Sequence, residues 1–224
     1  MEKMAISDKD TLLVIDVQRD FCAAGALAIP DGDAVVPIVN QLAQHFRHVI
    51  LTQDWHTPGH HSFAASHVHR HPYETIQAPY GEQTLWPDHC VQGTPGADFH
   101  PDLDIPHAEL ILRKGFRPNI DSYSAFLEND KTTPTGLAGY LRERGFQRIF
   151  LVGLAYDYCV RFSAVDAVRA GFSAFVIEDA CRAVGLPGSV EATGQEFAEL
   201  GVKRIQATDI QPCLESNFSS AGLS

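Results

Sequence analysis

The sequence predicts an α/β fold, an open parallel sheet of about six strands with helices on both faces. Two observations carry that expectation. Short, nearly unbroken apolar runs such as Thr11 to Val17 (T-L-L-V-I-D-V) have the pattern of strands buried on both faces of a parallel sheet. Between these runs, apolar residues recur at helical spacing, so strands and helices alternate along the chain.

Thr11 to Val17 is the first strand, and Asp16 stands at or near its carboxyl end because Q-R-D-F-C-A-A-G-A-L reads as loop. A carboxylate in such a run is costly to bury unpaired, so Asp16 needs a partner or a chemical task. Asp33 to Phe46 reads as the first crossover helix, with Val35, Val36, Val39, Leu42 and Phe46 on one face. His48 to Thr52 is the second strand. After it the composition changes abruptly, and nine of the eleven histidines fall between His56 and His107. From about residue 53 to about residue 108 no regular element is expected, and an irregular stretch of that length points to function or to an ordering ligand. Asp54 and His56, two apart in an extended segment, face the same way and can approach one ion together. His60, His61 and His89 add imidazoles, whereas His67, His69 and His71 read as a solvated loop. Carboxylate and imidazole suit zinc, iron or manganese.

Glu109 to Leu112 is the third strand and brings Lys114 to a strand end. The loop Asn119 to Phe126 (N-I-D-S-Y-S-A-F) offers Tyr123 and Phe126 as walls, and Thr135 to Arg144 reads as a helix. Ile149 to Val152 is a buried strand that Gly153 ends. A helix follows from Asp157, with Val160, Ala164, Ala167 and Val168 at helical spacing and a stop at Gly171. Cys159 then lies in its first turn, where free N–H groups and the helix dipole favour a thiolate. Those N–H groups, with that of Ala155, could hold an oxyanion. The plainer reading makes Cys159 a small core residue. Phe172 to Ile177 is the fifth strand, Ser189 to Leu200 a helix and Val202 to Gln206 a last strand, while the tail from Ala207 reads as poorly structured.

Ligands of open parallel sheets bind beyond the carboxyl ends of the strands. Asp16, Asp54, Lys114 and Cys159 each follow a different strand at that edge, and a thiol, a carboxylate and an ammonium together make an amide-cleaving device. The net charge of −11, with no basic cluster, argues against nucleic acid and favours a small neutral substrate. No stretch reaches the length of a membrane span and the start does not resemble a leader, so one cytoplasmic domain over residues 1–224 is expected. Five scattered cysteines without a C-x-x-C pair argue against a disulfide framework or a structural zinc site. No G-x-G-x-x-G follows the first strand, and no organic cofactor is expected.

The chain resembles the nicotinamidase (pyrazinamidase) branch of the isochorismatase-like cysteine hydrolases. The likeness runs from L-L-V-I-D-V-Q-R-D-F to E-D-A-C-R-A-V and includes T-Q-D-W-H-T-P-G-H-H-S-F, L-W-P-D-H-C-V-Q-G-T-P-G-A, R-K-G-F-R-P-N-I-D-S-Y-S-A-F and V-G-L-A-Y-D-Y-C-V. It implies a Rossmann-like three-layer sandwich and a catalytic triad of Asp16, Lys114 and Cys159. It further implies a divalent metal on Asp54, His56 and His89, with His60 a further candidate and His61 beside it. Phe21, Trp86 and Tyr123 would wall a pyridine ring, and a cis peptide at Leu154-Ala155 would aim the Ala155 N–H into the oxyanion hole with that of Cys159. Tyr156 stands where a threonine is usual, which touches the pocket rim or the oxyanion geometry. The implied reaction is hydrolysis of nicotinamide, and of pyrazinamide, to the acid and ammonia through a thioester, with a role in NAD salvage. A homo-oligomer is left open.

Three other readings stay open from the residues. The chain could be an amidase of the same fold acting on carbamoyl compounds, a hydrolase whose metal activates water while Cys159 only packs, or a small-molecule or metal-binding scaffold without catalysis.

Overall fold

The computed structural model describes residues 3–211. Six parallel strands form its main sheet: β1 (Asp10–Ile15), β2 (Val49–Asp54), β3 (Leu110–Lys114), β4 (Arg148–Leu154), β5 (Ser173–Arg182) and β6 (Lys203–Ile205). Their spatial order is β3-β2-β1-β4-β5-β6. The chain therefore winds outward from β1 in one direction and from β4 in the other, which opens a crevice between the loops that follow those two strands.

Alternation within the strands sends side chains to two separate cores. Leu12, Val14, Val49, Leu51, Phe150 and Val152 pack against α1 (Val35–Ala43) through Val35, Val39 and Leu42. Their sequence neighbours Leu13, Ile15, Ile50, Ile149 and Leu151 pack on the other face against α2 (Leu137–Glu143), α3 (Arg161–Arg169) and α4 (Ser189–Leu200). Burial on both faces explains why the runs are continuously apolar. No helix among the described residues is long and apolar enough to cross a membrane.

The structure differs from the expectation in several places. Strand β2 continues through Gln53 and Asp54, whose backbone polar groups are paired even though the side chains turn polar. Strand β4 does not end at Gly153 but passes through it to Leu154, with a register shift against β5. Gly153 has φ +111°, and a Cβ there would lie 2.1 Å from the Ile15 carbonyl oxygen, so glycine serves a close crossing of β1 rather than a stop. Strand β5 likewise runs past Glu178 and Asp179 to Arg182. Within the histidine-rich stretch, Thr75–Ala78 and Gly81–Thr84 form an antiparallel hairpin whose short, polar strands carry little periodic signal. At the other end, Ala207–Asp209 makes a turn and Ile210–Gln211 pairs with Met4–Ala5, so the first five residues of the expected loose tail are ordered. Residues 212–224, with Cys213, lie outside the described residues.

Candidate active site

The loops after β1 and β4 meet the ends of β2 and β3, and four of the predicted polar side chains converge there. Asp16 follows β1 at φ +47°, with its backbone N–H donating to Thr52 Oγ1 and its carboxylate accepting from the same hydroxyl. Lys114, the last residue of β3, reaches across with Nζ 2.8 Å from Asp16 Oδ2, 3.1 Å from Asp54 Oδ1 and 3.4 Å from Cys159 Sγ, and it donates to the Ser122 carbonyl at 2.9 Å. Asp16 and Lys114 are 0% and 1% exposed, so water does not screen this pairing.

Burial alone would lower the Lys114 pKa, but Asp16, Asp54 and Cys159 outweigh it and hold the ammonium well above its ordinary value. Asp16 is raised, because burial and the Asp54 charge exceed the pull of Lys114. Cys159 is also pushed well up by burial, with Lys114 pulling down and the Asp16 and Asp54 carboxylates adding to the rise. Burial and the two carboxylates therefore work against the thiolate that its place in the chain favours; the sequence shows the helix start but not the two buried carboxylates. Asp16 Oδ2 and the Cys159 sulfur thus share the Lys114 ammonium.

Cys159 sits in a π-helical turn, Tyr156–Val160, that leads into α3. The peptide Leu154–Ala155 before it is cis. The turn is tied down by Asp157, which accepts from the Val184 and Gly185 N–H groups at 2.8 and 2.9 Å and from the Ser189 hydroxyl. Tyr156 points away from the crevice: its hydroxyl donates to Glu178 Oε1 at 2.9 Å and its ring stands edge-on to Phe197 of α4. It therefore forms neither the pocket rim nor the oxyanion site.

Asp54, His56 and His89 have ligand atoms that all lie within 4.8 Å of one another, and all three side chains are buried. His56 Nδ1 lies 3.0 Å from the Gly115 carbonyl and His89 Nδ1 lies 2.8 Å from the Pro87 carbonyl. A carbonyl only accepts, so each Nδ1 must donate. The Nε2 atoms, which lie 2.9 and 3.4 Å from Asp54 Oδ2, are left to converge as a ligand set. Gly115, at φ +67°, makes room for it; a Cβ there would come within 2.7 Å of the His56 ring. These residues fit a divalent cation by donor type, convergence and fixed tautomer. His60 is differently committed. Its Nε2 faces the Arg117 carbonyl and its Nδ1 faces Ser62, each at 2.8 Å, so neither nitrogen offers a lone pair to the set. His61 pairs edge-on with His67 outside it.

Beside Cys159 lies a small cavity of about 30 Å³ whose walls include Phe21, Trp86, Tyr123, Tyr158, Ala155 and Val184. Trp86 and Tyr158 meet edge to face at 4.8 Å, and the Trp86 indole donates to the Tyr123 hydroxyl at 3.1 Å. A largely apolar slot with few polar groups suits a flat aromatic ligand. The structure thus brings together Asp16, Lys114, Cys159, Ala155, Phe21, Trp86, Tyr123, Asp54, His56 and His89. His67, His69 and His71 stay on the surface side, half-buried or exposed.

Several site residues were not singled out from the sequence. Gln18 bridges strand ends, its amide donating to the Asp54 and Ala97 carbonyls while its oxygen accepts from the Asp54 N–H. Asp121, Tyr158 and Val184 also line the cavity. A glutamine two residues beyond a buried aspartate was a legible signal for the first; the others depend on long-range packing.

An isochorismatase domain matches residues 10–206. A nicotinamidase of Acinetobacter baylyi is 50% identical over 208 residues, which cover 93% of this chain and 97% of that protein. Among solved structures, an Acinetobacter baumanii nicotinamidase pyrazinamidase is 54% identical with a TM-score of 0.90, covering 91% of this chain and 98% of its own. A Pyrococcus horikoshii pyrazinamidase in complex with zinc is 34% identical with a TM-score of 0.73, covering 88% and 99%. With the same domain matched from the first strand to the last and half the positions shared over nearly the full length, the chain belongs to the isochorismatase family.

Proposed function

We propose that the protein is a nicotinamidase, hydrolysing nicotinamide to nicotinate and ammonia, and that pyrazinamide is accepted by the same pocket. The observation that carries this reading is the placement of one ammonium, Lys114, between Asp16 and Cys159 at the edge of an aromatic cavity. The named relatives support the choice of a pyridine carboxamide among amides. The reaction serves NAD salvage in the cytoplasm, and the chain acts as one domain.

The Cys159 sulfur attacks the carboxamide carbon while its proton passes to Asp16. The developing oxyanion is held by the N–H groups of Ala155 and Cys159. Asp16 returns the proton to the nitrogen, the C–N bond breaks, and ammonia leaves. Water then adds to the thioester with Asp16 as base, the C–S bond breaks, and the proton returns to sulfur as nicotinate departs. Lys114 keeps the Asp16 carboxylate oriented and offsets its charge near the sulfur. Trp86, Tyr123 and Phe21 hold the ring. Asp54, His56 and His89 would hold a divalent cation, zinc or iron or manganese, which when bound supplies a Lewis-acid contact for the ring nitrogen.

The test is ammonia release from nicotinamide by the purified protein, with Cys159→Ala beside it. Release by the parent and a loss of at least about 10⁴-fold in the variant support the reading. No release from a folded, metal-loaded parent refutes the substrate, and equal release by both proteins refutes the nucleophile.

A further inference from the structure

The cavity beside Cys159 is too small for the molecule it is read to hold. At about 30 Å³ it has room for a water, whereas a dry cavity that takes up benzene measures about 150 Å³. A pyridine carboxamide is larger than benzene, so part of the wall has to move before the ring can lie beside the sulfur.

Three lining residues are placed to supply that movement. Tyr123, Tyr158 and Val184 are partly exposed and form the mouth, while every other residue that lines the cavity is buried. Tyr123 is held at both ends: its hydroxyl accepts from Trp86 Nε1 at 3.1 Å and from Gln83 Nε2 at 2.9 Å, and its N–H donates to Asn129 Oδ1 at 3.1 Å. Val184 is held through its N–H, which donates to Asp157 Oδ1 at 2.8 Å, and turning so short a side chain frees little space. Tyr158 is less restrained. Its ring rests edge-on against Trp86 at 4.8 Å and Tyr123 at 5.4 Å, and among the described residues its hydroxyl has only the Thr84 side chain of the hairpin as a partner. The Tyr158 N–H donates to the Ala155 carbonyl, so rotation about χ1 moves the phenol ring while the backbone that carries Cys159 stays in place.

We propose that Tyr158 is the gate of the pocket: its ring closes the mouth as the structure stands, and it swings out to admit the ligand and to release it. The hairpin is the latch, through Thr84. The inference rests on the reading of the cavity as a pyridine pocket.

The test is stopped-flow binding of nicotinate to the metal-loaded protein, followed by the fluorescence of Trp86 in the cavity wall, with ammonia release from nicotinamide measured on the same samples. A residue that only packs against the ring changes how fast the ligand leaves, whereas a gate changes how fast it enters. A mouth open less than about a tenth of the time admits ligand at less than about a tenth of the free rate. Tyr158→Ala is therefore expected to raise the slope of the observed rate against nicotinate concentration at least about 10-fold. A parent-like or lower slope overturns the gate. Should Tyr158→Ala fail to fold, Thr84→Val keeps the shape and releases the latch; a rise of about threefold is expected, the weight of one neutral hydrogen bond, and an unchanged slope there overturns the gate as well. A parent that neither binds nicotinate nor releases ammonia refutes the pyridine reading and the gate with it. A parent active on nicotinamide whose slope is unchanged by Tyr158→Ala refutes the gate alone.

Discussion

Lys114 Nζ donates to Cys159 Sγ across 3.4 Å while standing 2.8 Å from Asp16 Oδ2, so one buried ammonium contacts the sulfur and the carboxylate at once. Replacing it with methionine keeps the volume but leaves the Asp16 and Asp54 carboxylates buried without their cation. Breaking a buried pair in this way costs about 3–5 kcal/mol. Lys114→Met should therefore lower the urea midpoint by a corresponding amount and reduce ammonia release by at least about 10³-fold. Lys114→Arg should not restore activity, because a planar fork cannot occupy the position of a compact ammonium with four close partners. An active, parent-stable Lys114→Met would contradict both the pairing and its role.

Tyr156 is expected to matter for stability and not for catalysis. Its hydroxyl bonds Glu178 and its ring packs on Phe197, both on the far side of the turn that carries Cys159. Tyr156→Thr removes about 1–3 kcal/mol of packing and hydrogen bonding, read as a lower melting temperature. Because no part of the side chain reaches the cavity, kcat/KM should stay within about threefold of the parent; a larger change would show that the ring governs the Ala155 and Cys159 geometry after all.

The strand runs were legible because burial on both faces demands continuous apolar sequence, and the four polar residues that interrupt or follow those runs were legible for the same reason. What the sequence hid is long-range. The hairpin Thr75–Thr84 reads as loop because its two strands are short and polar, yet it delivers Gln83 to Asp121 and Tyr123. Gly153 looks like a stop until β1 is placed beside it. The surroundings of Cys159 are the clearest case: the helix start visible in the sequence favours a thiolate, whereas burial next to Asp16 and Asp54 opposes it.

Asp130 gives a pH signature. Burial nudges its pKa up, but the Thr133 hydroxyl and the N–H groups of Thr132 and Thr133 outweigh that and bring it down to about 2. A depressed carboxyl contributes stability that is present above the ordinary aspartate value, 3.8, and lost as pH falls through about 2. The turn it closes presents Asn129, whose side chain accepts from the Tyr123 N–H and donates to Gln83. Asp130→Ala should be less stable than the parent at pH 6, and most of that difference should be gone by pH 2. A difference in denaturant midpoint that does not change over that range would refute the assignment.

Gly153 tests how tightly the seam between β1 and β4 is built. At φ +111° an L side chain is strained whatever the space, and here a Cβ would also stand 2.1 Å from the Ile15 carbonyl oxygen and 2.9 Å from its nitrogen. Both neighbours are backbone in the middle of the sheet, so neither can rotate aside. Gly153→Ala must push β4 from β1, and those strands lead directly to Cys159 and Asp16. We expect a destabilisation of about 3 kcal/mol or more, and a loss of turnover in the fraction that remains folded, with kcat falling more than KM rises. Urea denaturation beside steady-state ammonia release separates the two effects. A stable, fully active Gly153→Ala would mean that the sheet yields at this crossing without moving Cys159 from Asp16.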